Sequence, residues 1–497
     1  MSLYVGLDVG TQSVKLVAYD APERDVVATI AAPMELISRD DGTREQHAQW
    51  WIDGIVHCFA QLDGAQRAQV RGISVSGQQH GFVPVAADGS VTAPVKLWCD
   101  TSTALECDEI MDAVGGVAGS VATAGNPIMA GYTASKLPWT RKHRPEAYAA
   151  MTTVMLPHEY VNFWLTGERF AEVGDASGTG WLDVRTRQWS ERMLGAVDAQ
   201  RDLRDALPPL VETGAVFALS DAAADALHLP AGVRVTTGGG DNMMAAIGTG
   251  NVVPGRLTMS LGTSGTLFAY ADHPVVDDDA RWAAFCSSSG GWLPLICTLN
   301  CTVATEAVMQ MFSITREQTE ALIASTTPGA DGLVLLPFFN GERTPNLPSA
   351  RGCLFGMELH NTTPAHFYRA AMEGATYSLR NGFDAFVAAG LQFDTILLTG
   401  GGSKSAQWRQ MVADILNLQA IVPTQPEGAA FGAALQASWA CDRHDGGADA
   451  LPDVVLEHLQ TDQALSAQPD PQRVARYQQH YQNFLKHLQV VSPLYAG

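Results

Sequence analysis

The first hundred residues alternate apolar and polar positions in a pattern that predicts strands followed by a helix. Residues 3–7, 14–19 and 26–32 have the two-residue alternation of antiparallel strands joined by tight turns. Residues 47–62 repeat large apolar side chains near helical spacing, which predicts an amphipathic helix. Residues 70–76 form an apolar run typical of a buried strand. This order of elements indicates an α/β domain.

Two short phrases of the chain each occur twice. Residues 4–11 are echoed by residues 257–263, where an apolar strand enters a Gly-Thr turn and leaves as another strand. Such a hairpin tip exposes backbone N–H groups. Residues 233–241 are echoed by residues 395–403, where a buried strand ends in three glycines and a cap residue opens a helix. Because both shapes suit phosphate groups, the echoes predict two similar halves that face each other across a phosphate-binding cleft.

A turn-rich segment divides these halves. Residues 248–255 concentrate glycine and proline between two sets of strands and helices, which is typical of a domain crossing and a hinge. We therefore predict an N-terminal domain of residues 1–253 and a C-terminal domain of residues 254–497. The stretch from about 100 to 204 is mostly helical and polar in pattern, and we interpret it as an insertion that shapes a substrate pocket.

The composition is that of a globular protein with an acidic excess. Of 497 residues, 46% are hydrophobic and 17% are charged, and the formal net charge is −21. Nucleic-acid backbones and acidic membranes select for excess Lys and Arg, so we expect neither as a partner. A small polyanion such as ATP still binds where helix N-termini, loop amides and Mg²⁺ supply a local positive field. No run of 18 uncharged apolar residues occurs, so no membrane span is predicted.

Eight cysteines are scattered along the chain without a C-x-x-C pair or a zinc-like set. In a chain of this length such residues are mostly small buried hydrophobes, so we expect reduced thiols. The N-terminal apolar run is interrupted by Asp8 and lacks the basic start of a secretion signal. Together these features predict a cytoplasmic location.

The first candidate for chemistry is the phrase Asp8-Val-Gly-Thr-Gln-Ser-Val-Lys15. A single Asp in a hairpin turn is explained by local hydrogen bonding alone. The recurrence of the Gly-Thr tip at Gly262 and Thr263 favours a functional interpretation, in which the two tips hold the β- and γ-phosphates of a nucleotide. Asp8 would then reach Mg²⁺ directly or through water.

Asp241 follows three glycines and precedes a predicted helix. An Asp in that place is commonly a helix N-cap. Its echo in the second half is the neutral Ser403, and this difference is the one expected of a base that accepts a hydroxyl proton. We therefore predict that Asp241 is a catalytic base.

The glycine run at residues 400–402 offers backbone that a ligand can approach closely. Without Cβ atoms a flat purine and its ribose can lie against the chain, although tight packing of strand against helix would also explain the glycines. We assign nucleotide binding to both hairpin tips and to this loop. The assigned residues are Gly10, Thr11, Gln12, Lys15, Gly262, Thr263, Gly401, Gly402 and Ser403.

A glycine-bracketed loop at residues 77–81 is the candidate pocket wall for the acceptor substrate. Glutamines and a histidine beside glycines can hydrogen-bond sugar hydroxyls, although a lone loop histidine is more often structural. The candidate substrate contacts are Gln79, His80, Trp98, Asp100 and Asn242. The patterns of a P-loop, a zinc protease, a nucleophile elbow and a dinucleotide-binding loop each fail in a required position.

Two longer segments resemble the signatures of the FGGY carbohydrate kinases, which belong to the superfamily of sugar kinases, actin and heat-shock ATPases. Residues 131–139 resemble the first signature, from which Thr140 departs, and residues 352–357 and 366–373 resemble the second. The resemblance spans nearly the whole chain. It implies two ribonuclease H-like α/β domains around a deep cleft, with the sugar mainly on the first domain and ATP, with Mg²⁺, mainly on the second.

Within this family the chain is most similar to xylulokinases, through motifs at residues 76–81, 97–100, 125–127, 174–178 and 340–345. Gln79 departs from the Met of many bacterial members. The similarity implies ATP-dependent phosphorylation of a pentulose, in the first instance D-xylulose to D-xylulose 5-phosphate, with Asp241 as the proton acceptor. A kinase for ribulose, glycerol or another ketose or polyol stays open, as do an actin-like or chaperone-like ATPase switch and assembly as a homodimer.

Overall fold

A computed structural model describes residues 2–495, in which strands and helices alternate as expected for an α/β protein. The strands are β1 (Leu3–Val9), β2 (Ser13–Asp20), β3 (Asp25–Pro33), β4 (Ile37–Ser38), β5 (Arg44–Gln46), β6 (Val70–Gly77), β7 (Val83–Ala86), β8 (Val95–Lys96), β9 (Met151–Met155), β10 (Leu182–Asp183), β11 (Gln188–Trp189), β12 (Val216–Ala218), β13 (Arg234–Thr236), β14 (Gly239–Gly240), β15 (Gly255–Leu261), β16 (Gly265–Ala269), β17 (Ala283–Cys286), β18 (Trp292–Thr298), β19 (Val334–Leu336), β20 (Cys353–Phe355), β21 (Phe393–Thr399) and β22 (Gln419–Ile421).

Helices connect most of these strands. They are α1 (Ala48–Gln61), α2 (Gly64–Gln69), α3 (Ala104–Val114), α4 (Gly116–Ala124), α5 (Thr133–His143), α6 (Pro145–Ala150), α7 (Pro157–Thr166), α8 (Val173–Ala176), α9 (Glu191–Val197), α10 (Asp221–Leu227), α11 (Asp241–Thr249), α12 (Thr302–Phe312), α13 (Arg316–Ala324), α14 (Pro364–Ala388), α15 (Ala406–Leu416), α16 (Gly428–His444), α17 (Leu451–His458) and α18 (Pro471–Val491). Across residues 2–495, none of them combines the length and apolar character that crossing a membrane requires.

The chain folds into two compact units. The first unit contains the residues up to Val252 together with residues 271–293 and 427–459. The second consists of the stretches between and after these segments. The two units are therefore not two continuous halves of the sequence, because the chain returns to the first unit at residues 271–293 and again at residues 427–459. The predicted domains 1–253 and 254–497 stay a prediction of domain organisation.

A mixed sheet forms the centre of the first unit, in the order β12-β13-β6-β1-β2-β3, with β14 also pairing on β6. β1 runs antiparallel to β2 and parallel to β6. Alternate side chains of β1, among them Leu3, Val5 and Leu7, are buried in a core that α1 also lines. The strands and the helix predicted over the first 76 residues are confirmed.

α16 packs against β1 and α11 with the backbones in contact. A Cβ atom added to Gly6 would lie 1.7 Å from the Ala430 carbonyl oxygen, and one added to Gly432 would lie 1.9 Å from the Met244 carbonyl oxygen. A side chain at either position would need the two elements to move apart. This close packing explains why residues 427–459 belong to the first unit.

The region between residues 100 and 204 has its own buried cluster, which includes Ile110, Leu137 and Trp181. The helical pattern predicted for this region is confirmed, and α5 and α7 are two of its helices. The strands within it were not predicted: β9 pairs with β7, and β10 pairs with β11. These strands are two to five residues long, which is too short for a clear alternation of apolar and polar positions.

The second unit contains a sheet in the order β18-β16-β15-β21-β22. β15 pairs antiparallel with β16 and parallel with β21, which repeats the arrangement of β1, β2 and β6. The first recurring phrase therefore forms the same hairpin in both units. The second phrase takes different places, because β21 pairs directly with β15, whereas β13 and β14 pair with β6. The long helix α14 contacts α12, α13 and α15, and its residues 368–379 are buried on all sides.

Candidate active site

The β1–β2 hairpin ends in a turn that the Gly10 N–H closes by donating to the Ser13 carbonyl at 3.0 Å. Thr11 lies at the tip, where its Oγ1 donates to Gln78 Oε1 at 2.8 Å and accepts from Trp98 Nε1 at 3.0 Å. Gln12 is exposed beside it. The Gly-Thr tip is therefore fixed to the loop that follows β6.

Asp8 lies near the carboxyl end of β1, between Ser76 on β6 and Lys15 on β2. Ser76 Oγ donates to Asp8 Oδ1 at 2.9 Å, and Asp8 Oδ2 accepts no hydrogen bond from residues 2–495. Burial raises the pKa of the Asp8 carboxyl, although the Ser76 hydrogen bond and the charge of Lys15 act against this rise. Lys15, predicted to bind nucleotide, forms an ion pair with Glu427 at the start of α16.

Three consecutive glycines place Asp241 next to Asp8. Gly238 has φ +66°, and a Cβ atom there would lie 2.1 Å from the Val75 carbonyl oxygen. This left-handed residue lets Gly239 and Gly240 pair with the end of β6 as β14. α11 then begins at Asp241, with Gly240 as its cap. The N-cap position read from the sequence is therefore wrong by one residue, because the strand pairing carries the extended conformation through Gly240.

The Asp241 carboxylate is held through one of its two oxygens. Asp241 Oδ1 accepts from the Asn242 backbone N–H at 2.8 Å and from Asn242 Nδ2 at 3.0 Å. Asp241 Oδ2 has no hydrogen-bond partner in the described part of the chain. Burial, followed by the negative charges of Asp8 and Asp175, raises the pKa of Asp241 to about 7. A carboxylate with this pKa and one free oxygen can accept a proton near neutral pH.

Gln79 joins this arrangement from the loop after β6. Its side chain is buried, and Asn242 Nδ2 donates to Gln79 Oε1 at 2.8 Å. The structure therefore brings together three of the predicted site residues, Gln79, Asp241 and Asn242, within one hydrogen-bonded group.

The half-buried imidazole of His80 lies in the same loop and is held from several sides. The residue has φ +65°, and its Nδ1 lies 2.7 Å from the Gly178 carbonyl oxygen. Its ring stacks on Tyr132, with ring centres 4.6 Å apart. The buried Lys136 donates through Nζ to the His80 carbonyl at 2.6 Å, and burial lowers the pKa of Lys136 to about 7. This set of contacts fixes both the backbone and the ring of His80.

Trp98 and Asp100 differ in accessibility. The Trp98 side chain is 42% exposed and reaches the hairpin tip through its indole N–H. Asp100 is fully buried, and both of its oxygens accept hydrogen bonds, from Arg44 N, Lys96 Nζ and Ser102. Asp100 therefore stabilises its own loop, and this arrangement leaves no free carboxylate oxygen for a sugar.

In the second unit the repeated hairpin tip lies at the start of α12. The Thr302 N–H donates to the Gly262 carbonyl at 2.9 Å, and the Cys301 N–H donates to the Thr263 carbonyl at 3.1 Å. Thr263 is exposed. The tip is therefore anchored through its carbonyls.

The glycine loop after β21 packs on this hairpin. Gly400 has φ +80°, and a Cβ atom there would lie 2.7 Å from the Leu261 carbonyl oxygen. Gly401 faces open space, which suits the approach of a flat ligand. Ser403 Oγ donates back to the Gly400 carbonyl at 2.7 Å, whereas Ser405 caps α15. The interpretation of Ser403 as a helix cap is therefore wrong, because a short 3₁₀ turn precedes α15.

A buried group of His158, Glu172 and Asp175 lies beside Gly240, and no role for it was predicted from the sequence. His158 Nδ1 lies 2.7 Å from Asp175 Oδ2, and both side chains are buried. Glu172 accepts hydrogen bonds from the Gly174 and Asp175 backbone N–H groups and from Ser288 Oγ. Burial raises the pKa of Asp175 and lowers that of His158. The motif at residues 174–178 was the available signal, but no spacing rule connects it to α7.

Asp8 is the residue that fits Mg²⁺. Within residues 2–495, no three or more His, Cys, Asp or Glu side chains cluster as a metal site. Mg²⁺ is commonly bound through one or two carboxylates together with phosphate oxygens and water, so a complete protein cage is not required. Asp8 offers a free carboxylate oxygen of the hard type that Mg²⁺ prefers.

Two family models cover most of the chain. The N-terminal domain of the FGGY family of carbohydrate kinases matches residues 3–248, and the C-terminal domain of that family matches residues 257–441. The chain belongs to the FGGY carbohydrate kinases. The family, the two-domain α/β fold and the carbohydrate kinase activity predicted from the sequence are thereby confirmed. Members of the family use ATP as the phosphate donor, generally with Mg²⁺.

Individual relatives are similar over nearly the whole chain. Xylulose kinase of Haemophilus influenzae is 39% identical over 98% of this chain and 99% of its own length. Xylulose kinase of Escherichia coli is 34% identical over 99% of this chain and 100% of its own length. Among solved structures, that of a xyloylose kinase from Brucella ovis has a TM-score of 0.91 and 30% identity, covering 99% of this chain and 100% of the other.

Proposed function

We propose that this sugar kinase phosphorylates the terminal hydroxyl of a pentulose, and that its substrate is D-xylulose, which becomes D-xylulose 5-phosphate. Relatives named xylulose kinase, at 34–39% identity and nearly full length, support the substrate. ATP is the proposed donor. The cytoplasmic location and the homodimer expected from the sequence stay predictions.

Asp241 is the proposed general base, and one observation carries this assignment. Its pKa is raised to about 7, and Asn242 holds only Oδ1, so that Oδ2 is free. A base must be an acceptor within hydrogen-bond reach of the attacking O–H, and its pKa is best matched to the working pH. The pKa of Asp241 meets this requirement, and the hydrogen bonds to Oδ1 orient the free Oδ2.

The proposed reaction is an in-line transfer. The C5 hydroxyl donates a hydrogen bond to Asp241 Oδ2 and gives up its proton there as its oxygen bonds to the γ-phosphorus of ATP. The bond between that phosphorus and the β,γ-bridging oxygen breaks, and ADP leaves. Mg²⁺, held by Asp8 directly or through water, would neutralise charge on the phosphates.

Several of the other assigned residues bind and orient the substrates in this proposal. Gln79, His80 and Asn242 supply amide and imidazole groups for the hydroxyl and carbonyl groups of the sugar. The hairpin tips at residues 11–12 and 262–263 would offer backbone N–H groups to the triphosphate, as glycine-rich turns do elsewhere. The glycine loop after β21 provides the open surface for the purine and ribose.

An ADP-release assay over pentuloses, hexuloses and polyols tests the proposal. We expect D-xylulose to give the highest kcat/KM and mass spectrometry to find phosphate on C5. A higher kcat/KM for ribulose, glycerol or another polyol would replace the substrate while keeping the kinase. An ADP-release rate that is the same with and without sugar would favour the ATPase switch instead.

A further inference from the structure

The buried pair of His158 and Asp175 lies one side chain away from the proposed substrate contacts. Asp175 Oδ2 pairs with His158 Nδ1 at 2.7 Å, and the other oxygen, Asp175 Oδ1, is directed toward Gly240 and Gln79. A Cβ atom on Gly240 would lie 3.0 Å from Asp175 Oδ1 and 2.8 Å from Gln79 Cγ. The missing side chain at Gly240 therefore lets these two side chains approach each other.

Gln79 Nε2 and Asp175 Oδ1 are complementary buried groups. Both atoms are inaccessible to solvent, and neither has a hydrogen-bond partner among residues 2–495. Burial raises the pKa of Asp175, and the proximity of the Gln79 side chain acts against this rise. An unpaired buried donor and an unpaired buried acceptor are both costly, and these two side chains face the same position beside Gly240, so a small shift that brings them into contact would satisfy both.

This contact determines which way the Gln79 amide faces. With Nε2 toward Asp175, Gln79 Oε1 points to Asn242 Nδ2 and accepts its hydrogen bond at 2.8 Å. The flipped amide would set two NH₂ groups against each other at Asn242 and two oxygens against each other at Asp175. Asn242 Nδ2 uses its second proton on Asp241 Oδ1 at 3.0 Å. The orientation is thus transmitted to the carboxylate.

We propose that Asp175 is a positioning residue that acts through Gln79 and Asn242 to hold Asp241 with Oδ2 toward the substrate hydroxyl. The inference rests on the proposed role of Asp241. His158 and Glu172 support Asp175 in turn, because His158 binds its second oxygen and Glu172 accepts its backbone N–H. The whole chain of contacts lies within the first unit.

Two substitutions at Asp175 separate positioning from bulk structure. In Asp175→Asn the side chain keeps an oxygen for Gln79 and gains an amide that can donate to a neutral His158, whose low pKa favours that form. We expect its kcat to stay within about threefold of the wild type, whereas Asp175→Ala lowers kcat about tenfold or more, since misplacement of a reacting group is costly. KM for ATP should stay unchanged in both. Equal kcat in the alanine variant and the wild type would overturn the proposal.

A double-mutant cycle asks whether Asp175 acts through Gln79. Gln79→Leu removes the amide and leaves the pair of His158 and Asp175 intact, so it should lower kcat as Asp175→Ala does. This variant tests the link even if Asp175→Ala fails to fold. In the Gln79→Leu background, Asp175→Ala should cost no further activity, because the link is already broken. A full additional tenfold loss would overturn the proposal. A wild type without sugar-dependent ADP release would overturn the proposed function as well, whereas an active wild type with additive variants would overturn the positioning role alone.

Discussion

Asn242 Nδ2 donates to Asp241 Oδ1 at 3.0 Å, and the Asn242 backbone N–H donates to the same oxygen at 2.8 Å. Both hydrogen bonds come from the second residue of α11 to the first, so they require only that the helix begins at Asp241. One carboxylate oxygen is thus occupied by the fold itself, and the other is left for chemistry. This asymmetry suits a base that must point one lone pair at a hydroxyl.

Replacing Asp241 by Asn should remove the proton acceptor while preserving the helix start. We expect turnover to fall by about 10²- to 10⁴-fold, the usual range for a positioned base, with KM for ATP nearly unchanged. Steady-state ADP release measures both. The matched control is Asp221→Asn, since Asp221 also opens a helix in the first unit but is exposed. Similar turnover in the two variants would contradict the role of Asp241.

The pH dependence of kcat/KM for the sugar should show the titration of Asp241. The pKa of this carboxyl is about 7, raised by burial and by the charges of Asp8 and Asp175, and only its ionised form accepts a proton. Activity should therefore rise about tenfold per pH unit below pH 7 and level off above it. A rate that stays flat from pH 5 to pH 8 would show that a group of ordinary carboxylate pKa, or none, limits the reaction.

The same raised pKa predicts that Asp241 destabilises the fold at neutral and alkaline pH. The carboxyl binds its proton more tightly in the folded state than in the unfolded chain, whose value is near the ordinary 3.8. Stability is therefore lost as pH rises from about 4 through about 7, because the folded state is forced to ionise a buried group. Asp241→Asn escapes this loss, so its gain in Tm over the wild type should be larger at pH 8 than at pH 5. Calorimetry at pH 5 and at pH 8 measures this gain in Tm, and an equal gain at the two pH values would contradict the prediction.

Lys136 should affect sugar binding through the backbone of His80. Lys136→Met removes the Nζ hydrogen bonds to the carbonyls of His80 and Gly131. We expect KM for the sugar to rise about tenfold with KM for ATP unchanged, because the loop that presents His80 and Gln79 loses its anchor. Lys142→Met is the control, since Lys142 lies at the end of the same helix with a partly exposed side chain. An unchanged KM for the sugar would show that the remaining contacts of His80 suffice.

Local features of the site were predictable from the sequence. The Gly-Thr tips and the glycine runs before Asp241 and Ser403 depend on backbone geometry within a few residues, and the structure contains them at those places. The repeat of the first phrase also indicated the repeated hairpins β1–β2 and β15–β16, because adjacent strands are often coded by consecutive segments. The second phrase did not indicate the strand order, since β21 pairs with β15 whereas β13 pairs with β6.

The features that were missed depend on contacts between distant segments. Asp100 was predicted to contact the sugar, but its Oδ2 accepts from Arg44 N and Lys96 Nζ and its Oδ1 accepts from Ser102. The approach of Arg44, which lies 56 residues earlier in the chain, gives no local signal in the sequence. His158 lies on α7 and Asp175 on α8, so the sequence carries no local signal of their pairing either. The small residues of α16 are visible in the sequence, but they do not identify β1 and α11 as the elements that they pack against.

Gly238 should be the most sensitive of the glycines before Asp241. It combines φ +66° with a Cβ position 2.1 Å from the Val75 carbonyl oxygen, so Gly238→Ala meets both backbone strain and a clash with β6. Relief requires β14 to leave β6, which would displace Asp241. We expect a loss of about 2 kcal/mol or more in the free energy of unfolding, as for other incompatible glycine replacements, together with at least a tenfold fall in kcat.

The comparison for Gly238 is Gly195→Ala, in the interior of α9. Nothing lies within 4 Å of a Cβ at Gly195, and its backbone is helical, so alanine should stabilise the protein by about 0.5–1 kcal/mol through helix propensity. Urea unfolding monitored by circular dichroism gives both free energies, and the sugar-dependent assay gives kcat. Equal stabilities in the two alanine variants would mean that β14 can separate from β6 without cost, and an unchanged kcat in Gly238→Ala would mean that its pairing does not place Asp241.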